Sequence, residues 1–155
     1  VTWRKADPFF ARRIQMAIFA VGMIFGLDYL ITPGGCSSTV LTSVEATWAP
    51  LWVWGATILM FSVLGFVVEW QVLNREHPFL PSKRRNQWGW LTNASHIVLV
   101  AVFSVLSASS LTDIITRGIS EGHWYGFRTS ALWGFFAYVN LQFVKRLAEK
   151  PVILK

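Results

Sequence analysis

The chain has one cysteine, Cys36. No disulfide framework and no cysteine-based metal site can be built from it within one chain. It falls in a loop, so an inert thiol and a bridge between chains are both open readings. Charge is also scarce: 14% of the 155 residues are Asp, Glu, Lys or Arg, against roughly 25% in a soluble domain. Hydrophobic residues make up 54% and the mean hydropathy is +0.45. A chain this short has too little polar surface to cover itself in water. Acid is scarcer than base, leaving a net charge of +6 and a pI near 10.0. In a soluble protein that excess would suggest nucleic acid. Here the basic residues flank apolar runs, and no basic stripe or stacking platform accompanies them, so no nucleic-acid partner is expected. Anionic lipid headgroups are the expected partner instead.

What the chain does have is long apolar runs. They are "IQMAIFAVGMIFGLDYLIT" (Ile14 to Thr32), "LWVWGATILMFSVLGFVVEW" (Leu51 to Trp70), "LTNASHIVLVAVFSVLSASSL" (Leu91 to Leu111) and "TSALWGFFAYVNLQFV" (Thr129 to Val144). A spanning helix needs about 20 mainly apolar residues at 1.5 Å each. The first three runs meet this. The fourth is shorter and more polar, and reaches residue 147 only with "KRL" as an interfacial extension. The expected fold is all-α: one integral membrane four-helix bundle over residues 1–155, with spans near 14–32, 51–70, 91–111 and 129–147. "TPGGCSS" stops the first helix, Pro50 suits a first helical turn, and Pro78 and Pro81 break the central loop. The first run is long and lacks a small-residue cleavage site, so no cleavable signal peptide is expected.

Lys and Arg are not spread evenly. Arg4, Lys5, Arg12 and Arg13 precede the first run, Arg75, Lys83, Arg84 and Arg85 separate the second from the third, and Lys145, Arg146, Lys150 and Lys155 follow the fourth. Only Arg117 and Arg128, two of the 14, fall in the remaining loops. The positive-inside rule then places both termini and the central loop in the cytoplasm of a bacterial cell, with the protein multi-pass in its cytoplasmic membrane. Arg12, Arg13, Lys83, Arg84, Arg85, Lys145 and Arg146 would set this topology and meet lipid headgroups. Trp48, Trp52, Trp124 and Trp133 would mark the outer interface, and Trp70, Trp88 and Trp90 the inner one.

Apolar surface gives helices no reason to associate in lipid, so small and polar residues have to supply one. Gly22 and Gly26 form a GxxxG pair. Gly55, Ser62 and Glu69 recur at intervals of seven along one face. His96, Ser104, Ser107 and Ser110 cluster on the third run, and Ser130, Gly134, Ala137 and Asn140 on the fourth. Such seams fit bundle packing, and a pore lining would look the same. Ionisable residues inside spans are more informative. Glu69, His96 and Asn140 all fall on the cytoplasmic side of the midplane, and Asp28 stands alone near the outer end of the first run. The expected pairing is Glu69 with His96, with Asn140 as the alternative partner.

No catalytic residue and no cofactor or metal site is expected. A haem bundle usually needs two facing histidines, yet His77 and His123 lie in opposite loops. No Ser, His and Asp set falls at one depth, more convergent metal ligands would be needed, and there is no Gly-rich phosphate loop. The stretches "SVEATWAPLWVWG" and "GFRTSALW", within a four-pass layout, resemble small membrane proteins of tailed phages of actinobacteria, some described as holin-like. The resemblance implies a protein that oligomerises in the cytoplasmic membrane and opens lesions, and it transfers no residue-level role. Two other readings fit the residues. One is a non-catalytic accessory subunit of a bacterial membrane complex. The other is a small transporter-like protein with Glu69 and His96 as a proton-sensitive site. A homo-oligomer or a membrane-complex partner is expected in each case.

Overall fold

A computed structural model describes residues 8–31, 49–75, 83–122, 124 and 126–148. Arg4, Lys5, Cys36, Trp48, His77, His123, Lys150 and Lys155 lie outside the described residues. Among the described residues the fold is all-α, with four helices: α1 (Pro8–Ile31), α2 (Leu51–Arg75), α3 (Lys83–Glu121) and α4 (Phe127–Ala148). Three contain stretches long and apolar enough to cross a membrane: Phe10–Ile31, Leu51–Gln71 and Trp90–Glu121. α4 has 22 residues but also Arg128, Asn140, Gln142, Lys145 and Arg146, and it is not one of the three.

α3 departs most from the expected boundaries. It runs for 39 residues, about 58 Å at 1.5 Å per residue, where a span over residues 91–111 was expected. Lys83, Arg84 and Arg85 are its first residues rather than loop residues. At the far end the helix continues because nothing breaks it before Gly122. Thr112, Thr116 and Ser120 stand in that extension; Thr112 and Ser120 return their hydroxyls to the carbonyls of Ala108 and Thr116. This hides their polarity within the helix. Gly122 adopts φ 72°, a left-handed conformation that glycine takes without a Cβ clash, and it ends α3. The ring of Trp124 then folds back onto Gly118, where a Cβ would meet ring atoms at 2.6 Å.

α1 packs against α2, α2 against α3, and α3 against α4. α1 and α2 run antiparallel at very short range. Gly65 lies under the ring of Phe19, Gly22 under the hydroxyl of Ser62, Gly26 against the backbone of Leu59, and Gly55 against Tyr29 and the carbonyl of Gly26. A Cβ on Gly26 would sit 2.7 Å from Leu59 N, so the two backbones touch because glycine leaves room. α3 and α4 are also antiparallel. Ser107 Oγ donates to Ser130 O at 2.9 Å, and Ser130 Oγ donates to Ser107 O at 3.0 Å.

The core between the pairs holds Phe19, Ile58, Leu99, Phe103, Leu106 and Trp133. Trp133 is a correction to the interfacial reading. It is 4% exposed, stacked on Phe103 at 5.5 Å and edge-on to Phe25 at 5.0 Å. The reason is helical phase: Trp133 shares the buried face of α4 with Ser130, Ala137 and Asn140. Trp52, Trp70, Trp90 and Trp124 are exposed.

Candidate functional site

The most polar part of the interior lies at the end of the bundle formed by the start of α1, the end of α2, the start of the apolar part of α3 and the end of α4. At its centre is His96, fully buried on α3. Its Nδ1 lies 2.7 Å from Asn140 Oδ1 on α4, and its Nε2 lies 2.7 Å from Gln15 Nε2 on α1. These partners set the tautomer. An amide oxygen only accepts and an amide nitrogen only donates. Nδ1 therefore carries the proton, while Nε2 is the bare nitrogen that accepts from Gln15. Asn140 is held in that orientation because its Nδ2 donates to Phe136 O at 2.8 Å. Above and below, the imidazole is stacked between Phe19, with centroids 4.6 Å apart, and Phe143, at 5.2 Å. One neutral ring thus joins three helices through two hydrogen bonds and two aromatic faces.

This geometry corrects the expected pairing of Glu69 with His96. Both ring nitrogens are already taken by amides. Glu69 is buried on α2 and its Oε2 lies 4.0 Å from Arg12 Nε. Asn140, the alternative partner expected for Glu69, is bonded to His96 instead. The physical reason is azimuth. Gly55 and Ser62 lie on the α2 face that meets α1, and Glu69, at the same spacing, has Arg12 of α1 beside it.

Gln15 was not singled out from the sequence because it sits inside an apolar run. A signal was present, since Gln15, Gly22 and Tyr29 recur at intervals of seven, as Gly55, Ser62 and Glu69 do. Gly65, which seats Phe19, was also missed. On α3, His96 and Ser110 are fully buried and Ser107 is half-buried, whereas Ser104 is exposed and leaves the seam. On α4, Gly134 stands beside Ser107, where a Cβ would meet its hydroxyl at 3.2 Å. Asp28 is exposed.

The cations gather at the same end. Arg12–Glu69, Gln15–His96 and His96–Asn140 tie the N-terminal part of α1, the C-terminal part of α2, the N-terminal part of α3 and the C-terminal part of α4 together. Arg12, Arg13, Lys83, Arg84, Arg85, Lys145 and Arg146 thus belong to one end of the bundle, and Arg117 and Arg128 to the other. Arg13 and Lys145 are exposed.

The arrangement holds three helices together. Among the described residues no cluster of three or more His, Cys, Asp or Glu could hold a metal ion. The imidazole could offer a lone pair only by giving up the bond from Gln15. No protein-family model matches this chain, and neither the curated proteins nor the solved structures provide a similar one.

Proposed function

We propose that the chain is an integral protein of the bacterial cytoplasmic membrane. It crosses four times with both termini inside, and it serves as a non-catalytic subunit of a membrane assembly. The observation that carries this reading is the direction of the polar seams. Ser62, His96, Ser110, Ser130 and Asn140 are buried within a single copy, and His96, Asn140, Ser107 and Ser130 bond one another's helices. Polar groups bonded across helices, as His96, Asn140, Ser107 and Ser130 are, glue a bundle. A lesion between copies, as the holin-like resemblance implies, would need such groups turned outward to line water. That would require each bundle to open and its bonds to break.

The fourth crossing is supported by depth. α4 lies beside α3 from Ser107–Ser130 to His96–Asn140, so it shares the depth of a helix that is apolar enough to span. Its outward side is Leu132, Phe135, Tyr138 and Leu141, a surface suited to lipid. The orientation is supported by the gathering of cations at one end. Contact with other subunits is supported by the exposed face of α3. It carries Ala101, Ser104, Ala108 and Thr112 at helical spacing, and small side chains there would let another helix approach.

Controlled expression in a bacterium, with membrane potential followed while the protein accumulates, tests this. The subunit reading expects an unchanged potential, together with cross-linked products of discrete size from Ser104→Cys in a Cys36→Ser background. A sudden collapse of potential after a lag would favour the lesion-forming reading and overturn this one.

A further inference from the structure

The α1–α4 seam is closed in one half and open in the other. Toward the outer half, Phe25 of α1 packs edge-on against Trp133 and Phe136 of α4, with centroids at 5.0 and 5.4 Å. Toward the cationic end the helices part and leave a groove of about 340 Å³, within the roughly 300–1,000 Å³ usual for small-molecule clefts. Ile14 and Ile18 form one wall; Phe135, Val139 and Phe143 are on the other. Its lining is almost wholly apolar, with Tyr138 and Gln142 the polar-tipped residues. Along α4 it spans Phe135 to Phe143, about 12 Å at 1.5 Å per residue.

The mouth is charged. Residues 135, 138, 139 and 142 recur at helical spacing on α4, and the next residue in that series is Lys145, which is exposed. The apolar groove therefore runs, toward the cationic end of the bundle, to an exposed lysine.

We propose that this groove is a binding site for one anionic phospholipid, with an acyl chain along Ile14, Ile18, Val139 and Phe143 and the headgroup phosphate at Lys145. The proposal rests on the membrane reading above, in which the groove lies at hydrocarbon depth and its mouth at the cytoplasmic headgroups. The occupant is an anionic lipid for two reasons. Hydrocarbon fills a groove that water would leave unsolvated, and a cationic mouth attracts phosphate. A structural consequence follows. Phe143 is both a groove residue and one of the two rings stacked on His96, so the bound chain would press on the same ring that packs the polar centre.

Native mass spectrometry of the full chain in mild detergent, with phosphatidylglycerol or phosphatidylcholine added, tests this. The wild type should retain phosphatidylglycerol about fivefold or more over phosphatidylcholine, the ratio expected from one cation on an anionic headgroup. Lys145→Glu, a surface change, should erase the preference. Val139→Phe and the milder Ile18→Phe should each lower retention of both lipids, with thermal transitions confirming folded protein. Equal retention of the two lipids by the wild type would overturn the proposal. So would retention unchanged in both filled variants, or a dimer that those variants dissociate, since the occupant would then be a second copy. Labelling of Lys145→Cys from each side of the membrane reads orientation separately. A failure of the lipid site is thereby distinguishable from a failure of the membrane reading.

Discussion

His96 is held by two amides, not by an acid, and this determines what removing each neighbour should do. Deleting the ring leaves a cavity between Phe19 and Phe143 and strips partners from Gln15 and Asn140. His96→Ala should therefore cost about 2–4 kcal/mol of unfolding free energy in mixed micelles, from cavity and unsatisfied amides together. Asn140→Ala should cost less, and the double change less than the sum, by about 0.6–1.7 kcal/mol as for other interhelical bonds in membranes. Glu69→Ala should couple to Arg12→Ala and add to His96→Ala within about 0.5 kcal/mol. Strong coupling of Glu69 to His96 would restore the pairing that the geometry excludes. That pairing was drawn from depth along the helix, which a sequence gives well. Azimuth on α2 decided the matter, and although the spacing of Gly55, Ser62 and Glu69 puts them on one face, it does not say which helix that face meets. Asn140 was legible as a polar group on the same side of the midplane, but as an alternative partner for Glu69 rather than for His96. Gln15 was hidden because one amide in an apolar run reads as tolerated noise.

Among the elements, the α1–α2 pair is built on glycine and α3 on the absence of a stop. Gly26→Leu would push a branched side chain into the Leu59 backbone, where even a Cβ is too close at 2.7 Å. It should separate the helices and lower the thermal transition by many degrees or abolish the folded peak in size exclusion. Gly134→Ala, whose Cβ would meet only the Ser107 hydroxyl at 3.2 Å, should be tolerated with a small shift. Equal effects from the two would show that close approach at Gly26 does not hold the pair. The existence of α1, α2 and the apolar stretch of α3 could be read from run length and composition, because hydrophobic length is a strong physical constraint. The ends of α3 could not. Residues 112–121 look like a polar loop, but the hydroxyls of Thr112 and Ser120 fold back onto helical carbonyls, and the stop is Gly122 rather than the end of the apolar run. Trp133 was misread for a related reason: composition marks tryptophan as interfacial, and helical phase turned it inward.

For the whole molecule, charge and fold point the same way. Among the described residues, Arg12, Arg13, Lys83, Arg84, Arg85, Lys145 and Arg146 belong to one end of the bundle, although they come from three separate stretches of chain. If that end is cytoplasmic and α4 crosses, Ser120→Cys at the end of α3 should react with an impermeant thiol reagent in intact cells, and Lys145→Cys should react only after permeabilisation. The reverse pattern would invert the orientation, and both reacting from outside would remove the fourth crossing. The central claim is that the polar seam is sealed inside each copy, and water accessibility tests it most directly. In a Cys36→Ser background, Ser62→Cys and Ser130→Cys can be exposed to a small charged thiol reagent in permeabilised membranes at high protein density, with Ser120→Cys as the exposed reference. A closed bundle predicts that both seam cysteines stay unmodified while Ser120→Cys reacts to completion. Modification of Ser62→Cys and Ser130→Cys at rates close to that of the reference would contradict the account, because the seam would then face water.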